Sequence, residues 1–168
     1  MPPRNNLSLL YKVIIFSQIL FILFASSATS ENSIIPPYFG SIKWNKAFVR
    51  SGPGKQYPIK WEFHKKNLPV EVLRKYEDWL KIKYLDDDQG WIKKTQFSAS
   101  RYVMVHGPAQ LMREKPNDSS KALLIINKNV IGKVLLCNSE WCKISISEKS
   151  GWIIKKYLWG VYPEEILD

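Results

Sequence analysis

Short runs of alternating apolar and polar residues follow one another after residue 30. VEVLRKY (70–76) and WLKIKYL (79–85) alternate with a period of two and are rich in branched and aromatic residues, which predicts two β-strands. A tight turn at Glu77-Asp78 joins them, and GWIKK (90–94) follows the DDDQG turn as a further short strand. No later stretch shows a long helical period with caps, so the pattern predicts an all-β fold.

The same pattern occurs twice along the chain. EDWLKIKYLDDDQGWIKK (77–94) aligns with SEWCKISISEKSGWIIKK (139–156), and NLPVEVL (67–73) aligns with NVIGKVL (129–135) upstream. Two units of roughly 60 residues, each with five or six short strands, are just large enough to fold as small closed barrels. We predict a first unit, a linker and a second unit with a C-terminal tail at residues 38–97, 98–107 and 108–168.

The two cysteines predict a hairpin register. Cys137 and Cys142, in LLCNSEWCKI, would face each other across a four-residue loop, at the Cα separation of about 4.5–5.5 Å that suits a disulfide. The alternative is two free thiols in a small core. The same register would pair Leu135 with Ile144 and, in the first unit, Leu73 with Ile82 and Lys75 with Leu80.

The first 28 residues have the order of a secretory signal. Arg4 and Lys12 precede the apolar stretch VIIFSQILFILFA, and the small residues after it allow cleavage near Ala28 or Ser30. The alternative is an uncleaved anchor in the inner membrane, which the polar residues inside the stretch disfavour. We therefore predict a signal peptide at 1–28 and a periplasmic or secreted protein.

Net charge narrows the class of partner. The chain carries a formal charge of +10, and loss of Arg4 and Lys12 with the signal leaves +8. A basic exported protein meets acidic partners such as anionic headgroups, wall polymers and lipopolysaccharide phosphates, whereas export argues against nucleic acid. The alternative is a lysine-rich surface that only reflects a lysine-rich proteome.

The sequence lacks the grouped nucleophile, base or metal ligands that a hydrolase would need. A thiol dyad could only join a cysteine to His106, which lies in the linker, and neither His64 nor His106 has a ligand spacing from the cysteines. The acidic run at 86–88 fits a solvated turn, since it lacks the spaced oxygen ligands of a calcium loop. We predict no catalytic residue, no metal, no cofactor and no enzyme activity.

VRSGPGKQYPI (49–59) could be a phosphate-binding loop or a turn in a small β domain. Pro53 and Pro58 remove amide donors that a phosphate loop uses, and strand-like rather than helical sequence follows. The stretch is therefore predicted to be a turn, in which Gly52 and Gly54 allow positive φ.

Four motifs, VRSGPG, N-x-P-V, W-x-K-I and G-W-I, resemble the bacterial SH3-like (SH3b) domain. The tandem arrangement and the ending YLWGVYPEE are similar to a family of exported proteobacterial proteins with two such domains. The resemblance covers residues 40–168, and it implies small β-barrels that bind cell-wall or other envelope components without chemistry. The second unit departs from the pattern, because MREKPNDSS keeps Arg113 and Pro116 but lacks both glycines.

Aromatic residues near the first loop form the candidate ligand groove. Alternation in W-L-K-I places Leu80 and Ile82 inside the barrel and leaves Trp79 partly exposed beside Lys81. An aromatic groove flanked by lysine suits peptide or glycan stems that carry carboxylates, whereas core packing is the alternative for each ring. Trp91 and Trp152 are assigned to packing. The candidate groove is Tyr57, Trp61 and Trp79, and the loop motif beside it is Arg50, Gly52, Pro53 and Gly54.

Together these features predict an exported, non-enzymatic binding module that contacts peptidoglycan peptides or an envelope protein. Two alternatives stay open: a non-catalytic regulator of a cell-wall hydrolase, and a basic surface protein that binds acidic envelope polymers. Binding through charge alone should weaken steeply with salt, whereas binding in a groove should depend less on salt. The tail YLWGVYPEE is expected to lie across a barrel, over an edge strand or a groove.

Overall fold

A computed structural model describes residues 35–168, and the predicted signal peptide lies outside this range. Within the described range no helix is long and apolar enough to cross a membrane. The described part of the chain has three single-turn 3-10 helices, at Leu85–Asp87, Lys94–Gln96 and Lys155–Tyr157. The strands are β1 (Tyr38–Ile42), β2 (Ala47–Arg50), β3 (Ile59–Phe63), β4 (Pro69–Tyr76), β5 (Trp79–Lys83), β6 (Gln89–Lys93), β7 (Phe97–Ser98), β8 (Tyr102–Val105), β9 (Gln110–Arg113), β10 (Ala122–Ile126), β11 (Ile131–Cys137), β12 (Trp141–Ile146), β13 (Lys149–Ile154) and β14 (Leu158–Trp159).

The strands form two antiparallel sheets with the same internal order. The first runs β3-β2-β6-β5-β4-β1-β7 and the second runs β10-β9-β13-β12-β11-β8-β14, so each strand of the second sheet is the counterpart of the strand seven earlier. The predicted all-β fold with two similar units is confirmed. Strand β8 lies inside the segment predicted as a linker and pairs with β11 and β14. The boundaries between the units stay a prediction.

Each sheet packs around an apolar core, and Met104 on β8 of the second sheet is buried in the core of the first. Leu80 and Ile82 are buried in the first core, as the alternation in W-L-K-I predicts. Full burial of one such side chain stabilises the fold by about 1.5–3 kcal/mol. Members of the first core include Ile42, Val49, Val72 and Ile92, and members of the second include Val105, Met112, Ile144 and Ile153.

The predicted hairpin register of the second sheet is correct at the turn and wrong beyond it. Cys137 faces Cys142 with a Cα–Cα distance of 4.1 Å, and the two form a disulfide. Further along, Val134 rather than Leu135 faces Ile144, because the register shifts there by a β-bulge. The bulge turns Leu135 out of the ladder, where the side chain is exposed.

The first sheet carries the same bulge at the equivalent place. Lys75 faces Leu80 as predicted, but Val72 rather than Leu73 faces Ile82. Each bulge therefore directs a valine into the core in place of the leucine that the sequence register suggested. A shift by one residue moves the side chain to the other face of a strand, so a bulge alone accounts for both differences.

The C-terminal tail joins the two sheets. The indole of Trp159 donates a 3.0 Å hydrogen bond to the carbonyl of Pro69 and meets the ring of Phe39 edge-on at 5.1 Å between centroids. The ring of Tyr162 lies 4.7 Å from that of Phe39, and its hydroxyl donates to the Glu71 carboxylate at 2.7 Å. The tail thus lies against the inner strands β1 and β4, and not against the edge strand β3.

Charged groups hold the tail in this position. Both terminal nitrogens of Arg101 donate to the Glu165 carboxylate, at 2.6 and 2.8 Å, and one of them also donates to the carbonyl of Gly160. The buried ammonium of Lys155 donates to the carbonyls of Pro163 and Glu165 at 3.0 and 2.8 Å. Burial raises the pKa of Glu165, but the hydrogen bonds from Arg101 and from the Tyr162 amide, together with the charges of Arg101 and Lys155, hold that pKa below its ordinary value.

Candidate functional site

The side chain of Arg50 holds the first loop, residues 51–58 between β2 and β3, through hydrogen bonds to the loop backbone. Its Nη1 donates to the carbonyls of Lys55 and Tyr57, at 3.1 and 2.7 Å. The amide of Ser51 donates to the carbonyl of Pro58 and closes the two ends of the loop at 3.1 Å. Because a guanidinium carries several donors in a rigid fork, one side chain fixes two backbone positions of this loop.

Gly52 provides the surface on which Tyr57 rests. A Cβ at Gly52 would lie 2.5 Å from the tyrosine ring, so only glycine allows this contact. A Cβ at Gly54 would meet the side chain of Gln56, which is free to move aside. The positive φ expected at both glycines is wrong, since in the described range only Gly107 and Gly160 have it among the glycines. Close approach of a ring, and not turn geometry, explains Gly52.

Tyr57 and Trp61 present aromatic surface next to this loop. The side chain of Tyr57 is 40% exposed. Trp61 is half-buried on the edge strand β3, where it faces Val49 and packs edge-on against Phe63 at 6.2 Å. The ammonium of Lys60 lies 5.0 Å from the centroid of the Trp61 ring, which leaves a cation beside the aromatic surface.

Trp79 lies apart from these residues, and its predicted exposure is wrong. Its side chain is only 8% exposed, and β5 stands three places from β3 in the sheet order. Trp79 faces Tyr76 on one side and Lys93 on the other. The structure therefore brings together Tyr57 and the Arg50–Gly54 loop, with Trp61 on the strand that follows, but it does not add Trp79.

Trp91 occupies the place beside the loop that strand alternation predicted for Trp79. It pairs in register with Arg50 on β2 and with Lys81 on β5, so the three side chains form one row across the outer face of the sheet. Trp91 is half-buried within this row. The sequence did hold a signal, because the alternation in GWIKK puts Trp91 and the core residue Ile92 on opposite faces.

The second sheet repeats this row. Trp152 pairs with Arg113 on β9 and with Lys143 on β12. Nη1 of Arg113 donates to the carbonyl of Ser120 at 2.7 Å, seven residues on, as Nη1 of Arg50 donates seven residues on to Tyr57. The second loop is therefore held by its arginine, although it has neither glycine of the first.

The second sheet also has a cavity of about 490 Å³ at the hairpin that carries the disulfide. One wall is the loop between the two cysteines, and the opposite wall is the tail that Lys155 holds. The disulfide and the buried ammonium thus fix both walls before any ligand arrives. Residues lining the cavity include Glu140, Trp141, Lys156, Leu158, Val161 and Glu164.

The described residues offer little for catalysis. Cys137 and Cys142 are joined in the disulfide, so neither is the free thiol that a dyad with His106 would need. Among residues 35–168 no three histidine, cysteine, aspartate or glutamate side chains are grouped to hold a metal ion.

Comparison with known families decides what these sheets are. The sequence model of the bacterial SH3 domain family matches this chain twice, at residues 43–98 and 106–160. The chain belongs to the bacterial SH3 domain family. The resemblance found in the sequence motifs is therefore confirmed. Tandem bacterial SH3 domains are typical of cell-wall binding modules, and they account for most of the described chain.

Individual proteins are similar to this chain as well. The chain is 28% identical over 156 residues to the "Putative N-acetylmuramoyl-L-alanine amidase YrvJ" of Bacillus subtilis (strain 168). The match covers 86% of this chain but only 29% of the length of that relative. Solved structures similar to this chain include NlpC2 from Trichomonas vaginalis, at 13% identity and a TM-score of 0.35, which covers 76% of this chain and 49% of that one. An NlpC/P60 family protein from Bacillus cereus ATCC 10987, at 13% identity and a TM-score of 0.32, covers 72% and 55%.

Proposed function

We propose that this protein is an exported, non-enzymatic binding module whose two SH3 domains contact peptidoglycan peptides. The observation that carries the proposal is the fixed aromatic surface of the first domain. Arg50 holds the loop, Gly52 seats the exposed ring of Tyr57, and Trp91 lies next to Arg50 in the sheet. Little has to be ordered on binding, so contacts made here are not offset by a large loss of conformational entropy.

Charge near this surface suits a ligand that carries carboxylates. Lys60 stands beside Trp61, and Lys81 stands beside Trp91. Peptide stems of the cell wall combine carboxylates with short aliphatic side chains, which a lysine-flanked aromatic surface can contact at once. Trp79 is left out of the proposed contact surface, because its ring is buried.

The comparisons support a wall ligand, and the second domain offers a further place for one. The relative from Bacillus subtilis is named for an amidase of N-acetylmuramoyl-L-alanine, a unit of peptidoglycan. The cavity of about 490 Å³ beside the disulfide falls within the size range of ligand sites in proteins. We place the main contact at the Tyr57 loop and a second contact in this cavity.

Sedimentation with purified peptidoglycan sacculi tests the proposal. We expect the protein to pellet with sacculi at both low and high salt, and Tyr57→Ala to reduce the bound fraction severalfold. Tyr76→Ala is the matched control, since Tyr76 is another tyrosine of the first domain and is 48% exposed at the far end of β4. Equal loss in both variants, or no sedimentation at either salt, would remove support for the loop as the contact surface.

A charge-only interaction is the second candidate, and the observation that favours it is the formal charge of +8 that remains once Arg4 and Lys12 leave with the predicted signal peptide. Exposed charges separated by more than about 8 Å are largely screened at physiological salt. Retention only at low salt, with no difference between Tyr57→Ala and Tyr76→Ala, would therefore point to acidic envelope polymers in place of a peptide groove. Clearing of sacculi by the protein would instead show a hydrolase.

A further inference from the structure

We propose that the cavity between the two SH3 domains binds a phosphate group. This seam cavity has a volume of about 350 Å³ and is lined from both domains. The first domain contributes the turn between β3 and β4, and the second contributes β8, β11 and β12 with the turn that follows. Its lining residues are Lys65, Lys66, Asn67, Tyr102, Ile131, Lys133, Ser145 and Ser147.

A row of donors on the second domain forms one side of the seam cavity. Lys133 on β11 pairs in register with Tyr102 on β8 and with Ser145 on β12. Side chains directly opposite each other on neighbouring strands have Cβ atoms about 5 Å apart, so an ammonium and two hydroxyl groups share one face here. Ser147 follows two residues after Ser145 and adds a third hydroxyl to the lining.

The turn between β3 and β4 of the first domain forms the other side of the seam cavity, and hydrogen bonds to both domains hold this turn. The amide of Asn67 donates to the carbonyl of Ile42 at 2.8 Å, which fixes the turn to its own sheet. The ammonium of Lys65 donates to the carbonyl of Asn129 in the second domain at 3.1 Å. Lys66 follows directly and lines the cavity with an exposed side chain. The opening thus has a set width, and it exists only because the two domains are docked.

The charge of the lining selects an anion. Among residues 35–168, three lysines and no carboxylate line the seam cavity. Within residues 35–168, neither Lys66 nor Lys133 takes part in the ion pairs that the structure shows for Lys46, Lys83 and Arg101. Positive charge that no nearby acid neutralises is focused by a concave surface and attracts anions.

The kind of donor favours phosphate over carboxylate. Lysine acts on phosphate as a point charge, and hydroxyl groups donate in whatever direction the oxygens require. A phosphate group offers more oxygens and more charge to three ammonium and three hydroxyl groups than a carboxylate does. The remaining volume leaves room for the molecule to which the phosphate is attached. This site is separate from the Tyr57 loop and takes a different class of ligand.

Calorimetric titration of the purified protein with glycerol 3-phosphate tests the site. We expect saturable binding that acetate at the same ionic strength does not match. In the double variant Lys66→Gln/Lys133→Gln, the dissociation constant should rise about tenfold or more, as expected for loss of two charges that face a bound anion. Both side chains are exposed, so the variant should fold, and an unchanged circular dichroism spectrum checks this.

Lys121→Gln is the matched control, because Lys121 is an exposed lysine of the second domain outside the seam cavity. Its dissociation constant should stay within about twofold of the parent, since an exposed distant charge is screened. Equal weakening in Lys121→Gln and the double variant would overturn the proposal, as would the absence of saturable binding to glycerol 3-phosphate.

Vesicles that contain phosphatidylglycerol identify the source of the phosphate. If the protein binds these vesicles and the double variant does not, the site takes a lipid headgroup. If the parent binds only glycerol 3-phosphate, and the double variant loses that binding, the site takes a soluble or polymeric phosphate. Vesicle binding that is equal in parent and double variant, together with unchanged binding of glycerol 3-phosphate, would contradict the site.

Discussion

The hydroxyl of Tyr162, in the tail of the second SH3 domain, donates a 2.7 Å hydrogen bond to the carboxylate of Glu71 on the inner strand β4 of the first. Glu71 is buried and also accepts from the ammonium of Lys83 at 2.8 Å. Burial and the hydrogen bond to Glu71 both raise the pKa of Tyr162. A buried polar group that bridges two domains makes their separation costly, so the loop and the seam cavity keep fixed positions.

Tyr162→Phe should weaken the union of the two domains. The change removes the hydroxyl and leaves Glu71 with Lys83, so we expect the free energy of unfolding to fall by about 1–2 kcal/mol. Denaturant unfolding followed by tryptophan fluorescence measures this. Tyr76→Phe is the control, because Tyr76 is half-exposed, and it should change stability by less than about 0.5 kcal/mol. Equal losses in the two variants would contradict a special role for Tyr162.

Acid should release the tail through Glu165. In the folded protein the pKa of Glu165 lies below its ordinary value of 4.5. Ionised Glu165 therefore stabilises the fold fully above the ordinary pKa, and this stabilisation is lost as the pH falls through the lowered pKa of the folded state. The parent should therefore exceed Glu165→Gln in stability by about 2 kcal/mol at pH 6, and the difference should shrink towards pH 3.

Denaturant unfolding at several pH values measures that difference, and an Arg101→Gln background provides the control. Without the guanidinium the carboxylate keeps only the 3.1 Å hydrogen bond from the Tyr162 amide among its side-chain bonds, so the advantage of Glu165 over glutamine at pH 6 should largely disappear. A difference that stays constant from pH 6 to pH 3 in the parent background would show that Glu165 does not carry the effect.

Loss of the disulfide should weaken the second domain without unfolding it. Cys137 and Cys142 are only five residues apart, so a chain-entropy estimate for this short loop is about 2 kcal/mol. The equivalent pair in the first domain, Lys75 and Leu80, holds the same hairpin with no cross-link. We expect the double variant Cys137→Ala/Cys142→Ala to remain folded, with a lower unfolding midpoint, and loss of the folded state would contradict this estimate.

Alanine at Gly52 should weaken binding to sacculi, whereas alanine at Gly54 should not. Gly52→Ala places a methyl group 2.5 Å from the ring of Tyr57 and must displace that ring, so binding to sacculi should fall severalfold. Gly54→Ala meets only the side chain of Gln56, which can turn away, so binding should stay close to that of the parent. The reverse order of effects would place the contact on the other side of the loop.

Much of the fold could be predicted from the alternation of apolar and polar residues and from the internal sequence repeat. Alternation gave the hairpins, and the offset between Trp79 and Trp141 gave two units, because strand periodicity and repeats are local properties of a chain. The bulges at Leu73 and Leu135 could not be predicted in this way. A bulge inserts one residue into the count, and nothing in the alternation of apolar residues marks where that happens.

The candidate site was predicted only in part, for a related reason. Alternation assigns Trp79 to the outer face of β5, but it does not say whether that face is covered, and the ring is buried. The loop with Tyr57 was found because glycine and proline mark turns. Trp91 was missed as a neighbour of Arg50, since their pairing depends on sheet order, and β2 and β6 are distant in sequence. The seam cavity depends on docking of two domains, which no local pattern encodes.

The central claim is that the Tyr57 loop binds a wall peptide, and amide shift mapping tests it most directly. Isotope-labelled protein would be titrated with soluble stem peptides released from sacculi, at low and at high salt. We predict saturable shifts concentrated at residues 50–59 and at the indole N–H signals of Trp61 and Trp91, retained at high salt. Shifts spread over exposed lysines that vanish with salt, or no shifts at the loop, would contradict the claim.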